Sequence, residues 1–235
     1  MDSVSGVGVL DKAVAILDAL AERGPASLAD LVVASGLSRP TVHRLATGLE
    51  AHGLVGRDPG GRFRLGLSLV GWGARAAAAV ELVEPARGVL VELRDATDES
   101  AQLYVREGDH RVCVAAAERP SGLRDTVPVG VALPLTKGSG GKVLLAWSTR
   151  AGSVRGVDPG ELAAVRRRGW AASVGEREPG VASVSAPVIT SDGRLLAAIS
   201  VSGPIDRLGR APGRRFAKPV LAAARDLEQR AGLHG

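Results

Sequence analysis

The nine residues LSRPTVHRL, 37–45, constrain this chain more than any other stretch. Ser38 is placed to cap a helix start with its side-chain oxygen, and Pro40 falls in the first turn, where its missing N–H loses no needed hydrogen bond. Val42, Leu45, Ala46 and Leu49 recur at i, i+3, i+4 and i+7, so one stripe faces a core while Arg39, Thr41, His43, Arg44 and Thr47 face outward. A helix whose first turns present polar and basic side chains can reach base edges and phosphates in a DNA major groove. Ser38, Arg39, Thr41, His43 and Arg44 are therefore the candidate groove-reading residues.

The flanking sequence supplies the remainder of a helix-turn-helix. Leu10, Ala13, Leu17 and Leu20 carry helical spacing through residues 9–22, and Gly24-Pro25 ends that helix. Ser27-Leu28-Ala29-Asp30 has the form of a capping box for a second helix running to about Ser35, with Gly36 as the tight turn. Gly53 takes the C-cap role on the third helix. Two extended pieces, 54–57 and 62–65, joined by Asp58-Pro59-Gly60-Gly61, predict a β-wing. Its Arg57, Arg62 and Arg64 are candidate phosphate contacts, which position a protein on DNA without specifying sequence.

Charge supports that reading by its placement. The chain carries a formal +5, and between residues 39 and 64 five arginines stand against Glu50 and Asp58, a local +3 in 26 residues. Arg166, Arg167 and Arg168 form a second basic run after ELAAV, which reads as a solvated helix end favoured by the macrodipole.

At 235 residues the chain is long enough for two domains, each with its own core, and a 45% hydrophobic content with only 3% aromatics makes those cores mostly Val, Leu and Ala. No run of about 18 apolar residues exists, which excludes a membrane-spanning helix. The opening MDSVSGVGVLDKAV lacks the basic and apolar regions of a secretory signal, so a cytoplasmic location is expected. Cys113 has no partner for a disulfide, and His43, His52, His110 and His234 have no zinc-ligand spacing, so neither metal nor cofactor is expected.

The domain plan is a winged helix-turn-helix over 1–75, a linker helix over 76–85 within an alanine-rich stretch that begins near Gly71, and a second domain over 86–235. In the second domain, helices are predicted at 86–97, 141–147, 159–168 and 212–230. Extended segments 100–106 and 111–117 turn at Glu107-Gly108-Asp109, and 182–189 pairs with 195–202 across Thr190-Ser191-Asp192-Gly193-Arg194. Hairpins interspersed with helices give an α+β chain whose second domain is built on an antiparallel sheet.

Two features of that domain suggest binding. LTKGSGGKV, 135–143, fails as a nucleotide loop because Thr136 stands where Gly is needed and Val143 where Ser or Thr is needed. The backbone donors of Ser139, Gly140 and Gly141 at a helix start could still receive an anionic or carbonyl group, the alternative being a tight structural turn. Ser183 with Ser185, and Ser200 with Ser202, share strand faces, which suits a polar ligand or a face open to water. No Gly-x-Ser-x-Gly elbow and no Cys-His arrangement is present, so a catalytic site is not expected.

LSRPTVHRL, GRFRLG, LPLTKGSGGKVLLA, VRRRGWA and AAISVSGP, in this order, resemble the IclR family of bacterial transcriptional regulators over nearly the whole chain. The resemblance implies an N-terminal winged helix on double-stranded operator DNA, a C-terminal GAF-like domain holding a small-molecule effector, and assembly as a homodimer or homotetramer. It places the effector pocket on Ser139, Gly140, Ser173, Val181, Ser183, Ser200 and Ser202. Two departures stand out: Ser173 and Ser183 occupy positions where carboxylate-binding relatives often carry Asp, Glu or Cys, and the stretch between Trp147 and Arg166 is shorter than the family pattern. An enzyme localised by its winged helix, and a winged helix that docks protein rather than DNA, are the alternatives.

Overall fold

A computed structural model describes residues 7–148 and 156–233. His234 and part of the short stretch between Trp147 and Arg166 lie outside the described residues. The chain divides into two compact units between Ala79 and Val80, inside the 76–85 stretch read as a linker.

The first unit runs α1 (Gly8–Arg23), α2 (Leu28–Ser35), α3 (Arg39–Ala51), β1 (Val55–Arg57), β2 (Phe63–Leu65) and α4 (Ser68–Ala78). Helix α2 starts on the expected capping box: Ser27 Oγ accepts from the Asp30 N–H at 3.2 Å, and the Asp30 carboxylate accepts from the Ser27 N–H at 2.9 Å. Its end is set by Gly36, whose φ of +66° is left-handed. Ile16 and Leu20 of α1, Leu31 of α2, Val42 and Ala46 of α3, and Val55 and Phe63 of the wing close a single core. An isolated bridge between Ala26 and Phe63 fastens the wing to the helices.

Four local expectations need correction. Leu10 does not share the buried face of α1 but is 56% exposed, and with Val7, Val9 and Val14 it leaves an apolar surface on the first turns. Ser38 makes no capping bond to the backbone; its hydroxyl pairs with Thr41 Oγ1 at 2.9 Å. His52 is the residue that ends α3, and Gly53 follows it in the left-handed region, with the Gly53 and Leu54 N–H groups returning to Glu50 and Leu49. The wing strands are shorter than expected, which leaves Leu54 outside β1 and Arg62 in the turn.

The second unit contains α5 (Val83–Thr97), β3 (Ser100–Glu107), β4 (His110–Ala117), β5 (Ala132–Pro134), α6 (Ser139–Ala146), α7 (Pro159–Arg168), β6 (Ala171–Val174), β7 (Val181–Ile189), β8 (Leu195–Pro204), α8 (Ile205–Leu208) and α9 (Gly213–Arg230). Its six strands form one antiparallel sheet ordered β5-β4-β3-β8-β7-β6. The short β5, β6 and α8 were not anticipated, because three or four residues carry too little periodicity to read.

Strand alternation sorts the sheet into two unlike faces. Leu103, Ala182, Val184, Ala186, Ile199 and Val201 pack against Leu90 and Leu93 of α5 and Phe216, Val220 and Leu227 of α9. The opposite face carries Tyr104, Cys113, Ala171 and Ala198 against Val143, Leu144 and Leu145 of α6 and Leu162 and Val165 of α7. That second face also receives the serines, since register pairs Ser173 with Ser183, Ser183 with Ser202, and Ser185 with Ser200. Among the described residues no helix is long and apolar enough to cross a membrane.

Candidate DNA interface and small-molecule cavity

Helix α3 presents Arg39, His43 and Arg44 to solvent, with Thr41 half-buried beside the Ser38 hydroxyl. Arg39 and Arg44 form no hydrogen bond or ion pair with any described residue. They are cations with five donors each and nothing on this chain to spend them on. Val42 and Ala46 are fully buried on the opposite side, so the orientation of these side chains is fixed by the core.

The wing arginines are placed differently. Arg57 Nε donates to Glu50 at 3.1 Å, its Nη1 donates to the Gly61 carbonyl, and the guanidinium stacks 4.1 Å from the Phe63 ring centroid. Arg62 pairs with Asp58 at 2.9 Å. Arg64 donates to the carbonyls of Arg57 and Leu65. The two acids weighed against the local charge thus neutralise two wing arginines directly. The wing's free positive charge is smaller than a residue count suggests, and α3 carries the uncompensated part.

In the second unit Ser139, Gly140, Ser173, Val181, Ser183, Ser200 and Ser202 line one cavity, together with Tyr104, Arg111, Asp125, Gly138 and Arg177. The space open to the centre of a water molecule is about 20 Å³, room for about one water. Two things bring these residues together. Pairing of β6, β7 and β8 stacks the serines across one sheet face, and the glycine turn drops the start of α6 onto that face. Ser139 Oγ lies 2.7 Å from both Ser183 Oγ and Ser185 Oγ, Ser185 Oγ donates to Ser200 Oγ at 2.9 Å, and Ser202 Oγ donates to Gln102 Oε1 at 3.1 Å. The serine face is therefore covered, not open to water.

The glycines of the turn are required by what sits against them. A Cβ on Gly141 would press into the backbone carbonyl of Leu135, and one on Gly138, at φ +83°, would lie 3.1 Å from Arg111 Nη2. The structural-turn reading and the ligand reading of this loop thus hold together: the turn exists to bring N–H donors and a guanidinium to one place. At the first turn of α6 the N–H groups of Ser139, Gly140 and Gly141 have no intrahelical acceptor.

Arg111, Tyr104, Asp125 and Arg177 were not anticipated. Arg111 had one signal, an arginine in an otherwise apolar strand at the same parity as Cys113. Burial pulls its pKa below the ordinary guanidinium value. Arg177 is also pulled down by burial, but Asp125, 2.5 Å away, outweighs that and raises it. Lys142 follows the same pattern, with burial opposed and exceeded by Glu161 at 2.7 Å and Glu176 at 2.5 Å. Cys113 is fully buried, which pushes its thiol up to about 12, far from a reactive thiolate at neutral pH.

Comparison with known proteins agrees with both units. The family model for the IclR helix-turn-helix domain matches residues 9–59, and that for the bacterial transcriptional regulator IclR C-terminal domain matches 74–155 and 159–229. The chain is 32% identical to the glycerol operon regulatory protein of Streptomyces griseus, covering 92% of each chain. It is 30% identical to the HTH-type transcriptional regulator BhcR of Paracoccus denitrificans, covering 94% of this chain and 86% of that one. It shares its fold with an IclR homologue from Microbacterium hydrocarbonoxydans, solved in complex with 4-hydroxybenzoate, at a TM-score of 0.77, 22% identity, and 95% and 99% coverage of the two chains. With a helix-turn-helix presenting free arginines, a six-stranded antiparallel effector-type domain and family matches across both, this chain belongs to the IclR family of transcriptional regulators.

Proposed function

We propose that this protein is an effector-responsive, operator-binding regulator acting in the cytoplasm. Arg39, Thr41, His43 and Arg44 of α3, with Ser38 at its start, enter the major groove, and Arg64 with the ends of Arg57 and Arg62 follows the phosphate backbone beside it. A small molecule occupies the cavity lined by Ser139, Gly140, Ser173, Val181, Ser183, Ser200 and Ser202, and acts by binding more tightly to one of two conformations that differ in DNA affinity. The observation that carries this is the cavity itself: a cluster of hydroxyls and guanidinium groups buried at the centre of a domain that otherwise packs Val, Leu and Ala. Polar groups buried at such a cost and left incompletely paired are the mark of a ligand site rather than of a core.

Self-association fits the surface of the first unit. Val7, Val9, Leu10 and Val14 of α1 and Val70 and Trp72 of α4 are exposed, more apolar surface than an isolated winged helix needs. Pairing through such a surface gives a homodimer, or a homotetramer by a second contact, whose two recognition helices meet two half-sites. An enzymatic role gains no support, since the buried Cys113 is held as a thiol and the relatives are named as transcriptional regulators. The test is binding of the full chain to DNA from upstream of its own coding region, titrated with salt beside Arg44→Ala. Tight binding that is lost in the variant supports the reading; equal weak binding of both proteins to every sequence would refute it.

A further inference from the structure

Arg111 is 3% exposed and forms no ion pair with any described residue. Its Nη1 donates to the carbonyls of Pro134 and Lys137, both at 2.6 Å, which pins the guanidinium against the turn before α6. Its Nε is buried with no partner, and its Nη2 donates to no described atom. The Tyr104 ring supports it from one side, with 5.2 Å between guanidinium carbon and ring centroid. Arginine cannot escape this position by losing its proton, so the charge stays.

The charge around the cavity leaves that guanidinium as the surplus. Arg177 and Asp125, the other charged groups on the wall, neutralise each other at 2.5 Å, and Arg177 also reaches Glu178 at 2.8 Å. Behind the turn, Glu161 and Glu176 are committed to Lys142, and Glu176 accepts the Gly138 N–H at 3.1 Å as well; both carboxylates are about a third exposed. The cavity wall therefore carries one net positive charge, on Arg111. The free Nε–H and Nη2–H point the same way from the planar guanidinium, the fork that a carboxylate meets with both oxygens. The serine hydroxyls and the open N–H groups of α6 add donors without adding charge.

Building on the effector reading of this cavity, we propose that its ligand is a small monoanion presenting a single carboxylate, and that Arg111 is the residue that binds and selects it. One unpaired charge is answered by one negative charge. A doubly charged phosphate ester leaves an excess in a site with no second free cation among the described residues, and a neutral ligand leaves the guanidinium unpaired.

Bromide, a monoanion little larger than water, is the probe that the cavity admits as it stands. Crystals of the full chain soaked in bromide should show it beside Nε and Nη2 of Arg111. In solution, calorimetry of the full chain with benzoate against benzamide, and propionate against propionamide, should show carboxylates bound about tenfold to a hundredfold more tightly than the matched amides. Arg111→Gln should abolish that preference, and Arg111→Lys should keep only part of it, because an ammonium cannot form the fork. Bromide found elsewhere in the crystal but absent from the cavity, or amides bound as tightly as carboxylates, would overturn the proposal. Equal binding of amides leaves the cavity an effector site without charge selection, whereas a cavity that takes neither bromide nor any member of either pair sinks the effector reading too. If Arg111→Gln does not fold, the bromide and matched-pair results on the unaltered protein decide alone.

Discussion

Gly141→Ala is the substitution whose cost follows most directly from the geometry. A Cβ at this position would lie 2.8 Å from the Leu135 carbonyl carbon, closer still to its oxygen, and 3.1 Å from Arg111 Nη1. Restoring an ordinary separation of about 3.5 Å requires the start of α6 and the chain at Leu135 to part by about 1 Å. Neither gives way easily, since every residue of α6 is buried. Such overpacking costs about 1–3 kcal/mol. The same movement stretches the two 2.7 Å contacts of Ser139 with Ser183 and Ser185 beyond hydrogen-bond range, about 1 kcal/mol each. Alanine's better helix propensity returns about 1 kcal/mol, leaving a net loss of about 2–4 kcal/mol. For a unit of this size each kcal/mol moves Tm by about 2–4 °C, so calorimetry should show the second unit's transition falling by about 4–16 °C. Gly73→Ala in α4, where a Cβ meets nothing within 4 Å, is the control and should leave that transition in place. A Gly141→Ala protein whose Tm stays within about 2 °C of the parent would show that the turn is pliable and that the argument from close approach is wrong.

Three further outcomes are expected. In salt titrations of operator binding, Arg39→Ala and Arg44→Ala should each flatten the log–log slope by about 0.9, while Arg62→Ala, already paired with Asp58, should change it less; an equal change for all three would contradict the distinction between free and paired arginines. The Ser27 hydroxyl bond, followed by the Ser27 backbone N–H, holds the Asp30 carboxyl below the usual carboxylate range. A depressed carboxylate stabilises the fold above its unfolded pKa and loses that contribution as pH falls through its folded pKa, so Asp30→Asn should lower first-unit stability at neutral pH and flatten its decline below about pH 4. Parallel pH–stability curves for the two proteins would rule out this capping role. Cys113, fully buried with its thiol raised to about 12, should resist a thiol reagent at pH 8 until the second unit unfolds; rapid stoichiometric labelling of the native protein would show a cavity wall that opens readily.

Much of the first unit was legible because its information is local. A capping box, a left-handed glycine and a stripe at i, i+3, i+4 each act within a few residues, and Ser27, Gly36 and Val42 do what their neighbours in sequence require. The misreadings there were of partners rather than of elements. Leu10 follows the helical period yet stays exposed, because period says which residues share a face and not how far along the helix the core extends. Arg57, Arg62 and Arg64 were rightly placed on the wing, but no count reveals that Glu50 and Asp58 come close enough to neutralise two of them.

The sequence by itself determined the helix-turn-helix, the main hairpins and long helices of the sheet domain, and, through family resemblance, the seven residues that line the cavity. Those properties rest on periodicity, turn chemistry and short-range capping, all of which operate along the chain. Tertiary structure alone decided that the serine face is buried, that Gly141 must pass the Leu135 carbonyl, and that Arg111, Asp125 and Arg177 meet around one cavity with Arg111 left unpaired. The physical reason is that burial and charge compensation are set by groups up to 66 residues apart, 111 to 177, and are defined only once the strands have paired and α6 has closed over them.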